Sequence, residues 1–188
     1  MVLMSLNNSD QEQLLALARQ SIANGLQTGR PLAVHAQDYS PELQQWRASF
    51  VTLERNGQLR GCIGMLEAVR PLVIDVAENA FAAAFRDRRF PPLAADELPG
   101  LDLHVSVLSP SEPIKFDSEQ ALIAQLRPGI DGVILDERGR RGTFLPSVWD
   151  DLPEPRQFLR HLKQKAGLPA DYWSETLRAF RYTTEMFG

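Results

Sequence analysis

Residues Leu59 to Met65 read Leu-Arg-Gly-Cys-Ile-Gly-Met, which places an arginine two positions before the only cysteine of the chain and threads two glycines through the same stretch. A guanidinium is a planar fork suited to carboxylates and phosphates, and a thiol beside a cation is biased towards the nucleophilic thiolate. Arg60 and Cys62 are therefore the candidate catalytic pair. Glycine inside a strand weakens it and marks a bulge or the close approach of a ligand or a second backbone, so Gly61 and Gly64 are candidate ligand-facing positions. The plainer reading treats Cys62 as a small buried hydrophobe, as free cysteines usually are, with Arg60 capping a nearby carboxylate. The residues leave both open.

Asp87 and Arg89 follow an apolar helical run directly and form a second candidate ligand-binding pair; the alternative is an ion pair anchoring the Pro91-Pro92 turn. Asp102, His104 and Ser106 hold the three residue types of a hydrolase triad. Alternate residues on one strand lie roughly 6.6 Å apart with parallel side chains, too far for triad hydrogen bonds, so these read as the polar face of a strand. His35, His104 and His161 are scattered and show no metal-ligand spacing, so no metal site is expected. The glycines fit neither a P-loop nor a dinucleotide fingerprint, and Phe81, Phe85, Phe90 and Leu93 read as core.

The elements that must position these groups follow from pattern. Asn56-Gly57 lies between two β-prone runs and predicts a type I′ hairpin of residues 46–55 with 58–65. A two-residue turn pairs Arg55 with Gln58, Leu53 with Arg60 and Val51 with Cys62, placing Leu53, Arg60, Val51 and Cys62 on one face and leaving Arg60 and Cys62 about 7 Å apart. Ser9 with Glu12 suggests a capping box, after which Leu14, Leu15, Ala18, Ile22 and Leu26 keep helical spacing until Gly25 and Gly29. Pro71 opens a second helix whose apolar positions recur to Phe85, with Asp75, Glu78 and Asn79 opposite. Leu101, Leu103, Val105 and Val107 alternate as a strand that Ser109-Pro110 closes. A short helix spans about 118–126, and residues 132–136 pair with 142–145 as a second hairpin. Pro155 opens a helix with Phe158, Leu159, Leu162 and Ala166 inward, and the run from Phe180 to Met186 alternates as one final strand. Two hairpins among the helices favour α+β with mixed or antiparallel sheets over a doubly wound fold. A single domain over residues 9–187 is expected, and the proline-rich Pro91 to Pro99 segment is the best boundary if it divides into lobes.

With these pieces in view, the chain resembles the AMMECR family. The resemblance rests on Arg60-Gly61-Cys62-Ile63-Gly64, on Ala84 to Leu93, His104 to Pro110, Gly142 to Pro146 and Phe158 to Trp173, in the family's order. It implies an α+β protein with a larger and a smaller lobe around a cleft, and partners in a Memo-type protein and a radical SAM protein. It brings no settled reaction. This chain has Ser147 where many relatives have Gln and Lys163 where many have Cys, so a two-cysteine mechanism does not carry over. Two roles fit: an enzyme or small-ligand-binding protein built on the Arg60 to Gly64 segment, or a non-catalytic partner of the other two proteins. No cofactor is indicated.

The 188 residues suffice for one sizeable core or two lobes, and 44% hydrophobic with 23% charged is ordinary for a globular protein. A formal charge of −4, with Arg86 to Arg89 and Arg138 to Arg141 as the only basic clusters, argues against nucleic acid. No apolar run approaches the ~20 residues needed to span a bilayer. One cysteine excludes an internal disulfide, and the absence of a basic-then-apolar leader makes the cytoplasm the expected compartment.

Overall fold

A computed structural model of the chain describes residues 5–188; residues 1–4, part of the stretch read for a leader, lie outside the described residues. The elements run α1 (Asn8–Thr28), α2 (Pro41–Gln44), β1 (Ser49–Arg55), β2 (Gln58–Gly64), α3 (Leu72–Phe85), β3 (Leu101–Leu108), β4 (Glu112–Ile114), α4 (Glu119–Gln125), β5 (Gly132–Glu137), β6 (Arg140–Phe144), α5 (Pro155–Lys165), β7 (Arg178–Tyr182) and β8 (Thr184–Phe187). They make two four-stranded sheets, ordered β2-β1-β3-β8 and β4-β7-β5-β6, with antiparallel pairing. The fold is α+β.

The chain divides into two compact units at Leu108/Ser109, with residues 185–188 returning to the first. The Pro91 to Pro99 segment is therefore not the boundary. It lies inside the first unit because Leu93 is buried in that core and its N–H donates to the Ala84 carbonyl at 2.9 Å.

In the first unit α1 and α3 cover one face of the sheet. Val51, Leu53, Val105 and Val107 turn inward with Leu14, Leu17, Ile22, Val73, Val76 and Ala80 from the helices. Helix α1 begins two residues earlier than the Ser9 box suggested, because Asn7 takes the cap: its side chain accepts from the Asp10 N–H at 2.8 Å. The helix also runs through Gly25 and stops only at Gly29, whose φ of 70° ends it. Two residues expected on the solvent side of α3 are buried. Asp75 accepts from the Ser49 N–H (2.9 Å), Ser49 Oγ (2.6 Å), Asn79 Nδ2 (2.8 Å) and Arg70 Nε (2.8 Å), and Asn79 also donates to the Ser49 carbonyl. This network ties the start of β1 and the loop after β2 to the helix.

In the second unit α4 and α5 cover β5, β6 and β7. Phe158, Leu159 and Leu162 pack with Val133, Leu135 and Ala179, and Trp149 stacks on Phe158 with centroids 3.7 Å apart. The C-terminal run is two strands rather than one. It breaks at Thr183, whose N–H donates to Ser109 Oγ (2.9 Å) and whose carbonyl accepts from the Ser109 N–H (2.8 Å), so β7 stays in the second sheet while β8 joins β3 in the first. Strand β4 was invisible in the pattern, being three residues long with Pro113 at its centre. No helix among the described residues is long and apolar enough to cross a membrane.

Candidate functional site

The β1–β2 hairpin turns at Asn56-Gly57 with φ of 52° and 72°, and Arg55 pairs with Gln58 as expected. The ladder then departs from the expected one. Glu54 pairs with Leu59, Leu53 with Gly61, Thr52 with Cys62 and Val51 with Ile63, so Arg60 is an extra residue opposite the Leu53/Glu54 step. This β-bulge reverses the facing of everything beyond it. Gly61 takes the inner position that Arg60 was assigned, and Cys62 moves from the core face, beside Val51, to the outer face, beside Thr52.

Gly61 explains why the inner position must be empty. A Cβ there would lie 2.2 Å from the Ala83 carbonyl oxygen of α3, and one on Gly64 would lie 2.3 Å from the Phe50 ring and 2.4 Å from the Ser49 carbonyl oxygen. The close approach that two strand glycines signal is made by the protein's own backbone and ring.

Arg60 leaves the strand sideways. Its Nε and Nη2 donate to Glu97 at 2.8 and 3.0 Å, Nη2 also donates to the Pro91 carbonyl at 3.0 Å, and the guanidinium lies over the Phe90 ring at 5.8 Å. Arg60 and its ion pair hold the Glu97 carboxyl down at about 2, helped by the Ala94 N–H. The predicted approach of Arg60 to the sulfur does not occur: the bulge sends the guanidinium to Glu97, a partner 37 residues away.

Asp87 and Arg89 close the free edge of β2. Cys62 N–H donates to Asp87 Oδ2 at 3.0 Å, and the Cys62 carbonyl accepts from Arg89 Nη2 at 3.4 Å. The two side chains are joined by Arg89 Nε to Asp87 Oδ1 at 3.0 Å and Nη2 to Oδ2 at 2.7 Å. The Arg89 hydrogen bonds, with the Cys62 and Arg89 N–H groups, keep the Asp87 carboxyl far below the usual carboxylate range against the cost of its burial. An ion pair thus occupies the backbone groups to which a further strand would bind. Arg89 is also the cation within electrostatic reach of Cys62.

The Cys62 side chain is half-buried, and its Sγ lies 3.2 Å from Thr52 Oγ1. Thr52 pairs on its other side with His104 of β3, so thiol, hydroxyl and imidazole form one lateral row across three strands. His104 Nε2 is 3.8 Å from Glu54 Oε2, two residues along β1 on the same face. A depression of about 640 Å³ lies between α1 and the start of β3, lined by Leu15, Arg19, Asp102, His104 and Gly188 among others; of the row only His104 borders it, and Cys62 and Thr52 do not. Asp102, His104 and Ser106 do share one face of a single strand. Sequence reasoning missed the row because the hairpin without its bulge sets Cys62 against Val51; the alternation of Thr52 and Glu54 with Val51 and Leu53 was its one visible trace.

Among the described residues no three His, Cys, Asp or Glu side chains gather where they could hold a metal ion. Lys163, standing where many relatives have cysteine, is fully buried in α5 and donates to Glu119 at 2.8 Å.

The AMMECR1 family model matches residues 15–187. A protein of Methanothermobacter thermautotrophicus is 37% identical over 188 residues, covering 97% of this chain and 95% of its own length. One of Thermotoga maritima is 40% identical over 149 residues, covering 78% and 80%. The crystal structure of an uncharacterised protein of Pyrococcus horikoshii superposes with a TM-score of 0.85 at 35% identity, covering 93% of this chain and 89% of that one. The chain belongs to the AMMECR1 family.

Proposed function

We propose that this protein binds or transforms a small molecule at the outer face of its first sheet, with Cys62 as the reactive group, and that it works with a Memo-type and a radical SAM protein. One observation carries the chemical part. The bulge at Arg60 costs the hairpin its regular ladder, and its effect is to turn the only thiol out of the core into hydrogen-bond contact with Thr52. Bulges that re-aim a side chain concentrate beside active sites. The partners, and a cytoplasmic setting, rest on the family resemblance and on a reduced single thiol.

A second reading has its own observation. Arg60, Gly61, Gly64, Asp87 and Arg89 are all engaged in contacts within the unit, as a motif kept for fold and docking would require. Under it the protein is a non-catalytic partner in the same system.

Alkylation separates the two. In the first, iodoacetamide modifies Cys62 in the folded protein at neutral pH faster than a model thiol, and a thermal-shift metabolite screen gives a hit that Cys62→Ala loses. Modification only on unfolding, with Cys62→Ala retaining every hit and partner, assigns the thiol to structure.

A further inference from the structure

We infer that Arg47 is the recognition group of an oxyanion site in the first unit, one that takes the phosphate or carboxylate of a small molecule. The site is separate from Cys62 and does not depend on the reading of that thiol. It follows from a buried cation that the fold leaves without a partner.

A buried guanidinium is costly unless it is paired and hydrogen-bonded. The chain follows that rule elsewhere: Arg60 pairs with Glu97, Arg70 with Asp75, Arg89 with Asp87 and Arg127 with Asp131. Arg60 leaves Nη1 buried and unpartnered, yet it holds Glu97 with Nε and Nη2. Arg47 has no such compensation. At 7% exposure it is the only buried arginine among the described residues, and its Nε is sealed from solvent with no hydrogen-bond partner. Glu185 is the acid whose field reaches it, and that carboxylate already accepts from Ser5 Oγ at 2.7 Å, the Leu6 N–H at 3.0 Å and Gln11 Nε2 at 3.1 Å. Burial outweighs Glu185 and pulls the Arg47 guanidinium below its ordinary range. Arginine does not give up its proton in a protein, so the charge persists and its partner has to come from solution.

The backbone holds the side chain in place. The Gln45 carbonyl accepts from the Leu72 N–H at 2.8 Å, the Ala48 carbonyl from the Leu108 N–H at 2.9 Å and the Ser49 carbonyl from the Met65 N–H at 3.1 Å, while Trp46 bridges to Pro71. A residue clamped on both sides cannot carry its charge into water by moving the main chain, so the guanidinium is preorganised for a ligand. Its planar fork matches two oxygens of a carboxylate or phosphate and has no such match in a spherical halide. Glu185 repels any anion that binds there, so the hydrogen bonds rather than the local field select the ligand.

The test follows the full chain, Arg47→Met and Arg47→Lys in potassium phosphate, potassium acetate and potassium chloride at matched ionic strength. The melting temperature reads binding, and the Arg47 Nε–H resonance, identified by its loss in Arg47→Lys, reads its place. Wild type should melt roughly 3 °C higher in phosphate or acetate than in chloride, with the Nε–H resonance moving as the anion saturates. A response to phosphate alone assigns the site to phosphorylated molecules, and one to acetate alone to carboxylates. Arg47→Met should lose the response and, relieved of an unpaired buried charge, melt no lower than wild type in chloride, whereas a cation kept for the fold would be missed. Arg47→Lys, a point charge without the fork, should lose roughly tenfold in anion affinity and decides the matter if Arg47→Met does not fold. An Nε–H resonance that stays in place in both oxyanions would overturn the site, as would an Arg47→Met protein that melts lower and keeps the full anion response.

Discussion

The two hairpins, β1–β2 in the first unit and β5–β6 in the second, are built alike and end differently. Both tips carry paired positive φ, 52° and 72° at Asn56 and Gly57 and 50° and 87° at Arg138 and Gly139. Both return strands carry a glycine beneath a helix: Gly61 beneath the Ala83 carbonyl, and Gly142 beneath the backbone of Ala166. The second ladder runs without a break from Glu137↔Arg140 to Val133↔Phe144, whereas the first skips at Arg60. The consequence appears in the threonines. Thr143 is held by the Val133 carbonyl and the Tyr182 hydroxyl, while Thr52 meets a thiol. The shared plan is scaffold, and the bulge is what converts one copy into a candidate site.

The largest effect should come from the glycines beneath the helices. An alanine Cβ at Gly61 would stand 2.2 Å from a carbonyl oxygen, which only movement of helix or strand can relieve; at Gly142 the nearest backbone atoms are 2.9 and 3.0 Å away. Gly61→Ala should cost about 3 kcal/mol and Gly142→Ala about 2 kcal/mol, read from urea unfolding. Equal losses would mean that the two helices sit over their strands with the same slack.

How far this was legible follows from the same residues. The amphipathic period of α3, the alternation of β3 and the Asn56-Gly57 turn each reflect contacts within a few positions, and each announced its element. The bulge is set by Arg60 finding Glu97 and Gly61 finding Ala83, neither nearby in sequence, so local pattern gave the regular ladder. Asp87 reaching the Cys62 N–H, and Asp75 with Asn79 buried on Ser49, failed to register for that reason. The motif was visible. The direction in which its cysteine points was not, and that direction depends on one inserted residue.

The units should also differ in which end of the pH scale weakens them. Glu97 titrates at about 2 in the folded protein, so its contribution is present above the unfolded carboxyl range and disappears as pH falls from roughly 4.3 towards 2. Asp87 acts in the same direction. In the second unit burial pushes the Tyr182 phenol up to about 12, opposed by its Thr143 hydrogen bond, so its contribution is complete below roughly 10 and disappears as pH rises towards 12. Amide exchange of β2 should loosen first in acid, and Arg60→Ala should remove the Glu97 share of that sensitivity while leaving the share of Asp87, which holds the Cys62 N–H without Arg60. The ultraviolet titration should show one of the three tyrosines ionising late. Simultaneous acid loosening of β2 and β5 would erase the contrast.

The smallest effect concerns the tips, where the hairpins are most alike. Gly57 and Gly139 both hold positive φ with open space where a Cβ would stand, so a side chain there is penalised by backbone conformation alone. Gly57→Val and Gly139→Val should each lower stability by about 1 to 2 kcal/mol. The two losses should match, because strain at the turn does not depend on the ladder beyond it. A register fixed only by its turn would slip in both variants, yet β2 is also held by Arg60 on Glu97 and by Asp87 and Arg89 on Cys62. Gly57→Val should therefore leave Cys62 beside Thr52 and its alkylation rate unchanged while the melting temperature falls. A Gly57→Val protein whose thiol becomes inert would show that the turn, rather than the bulge and its distant partners, aims the cysteine.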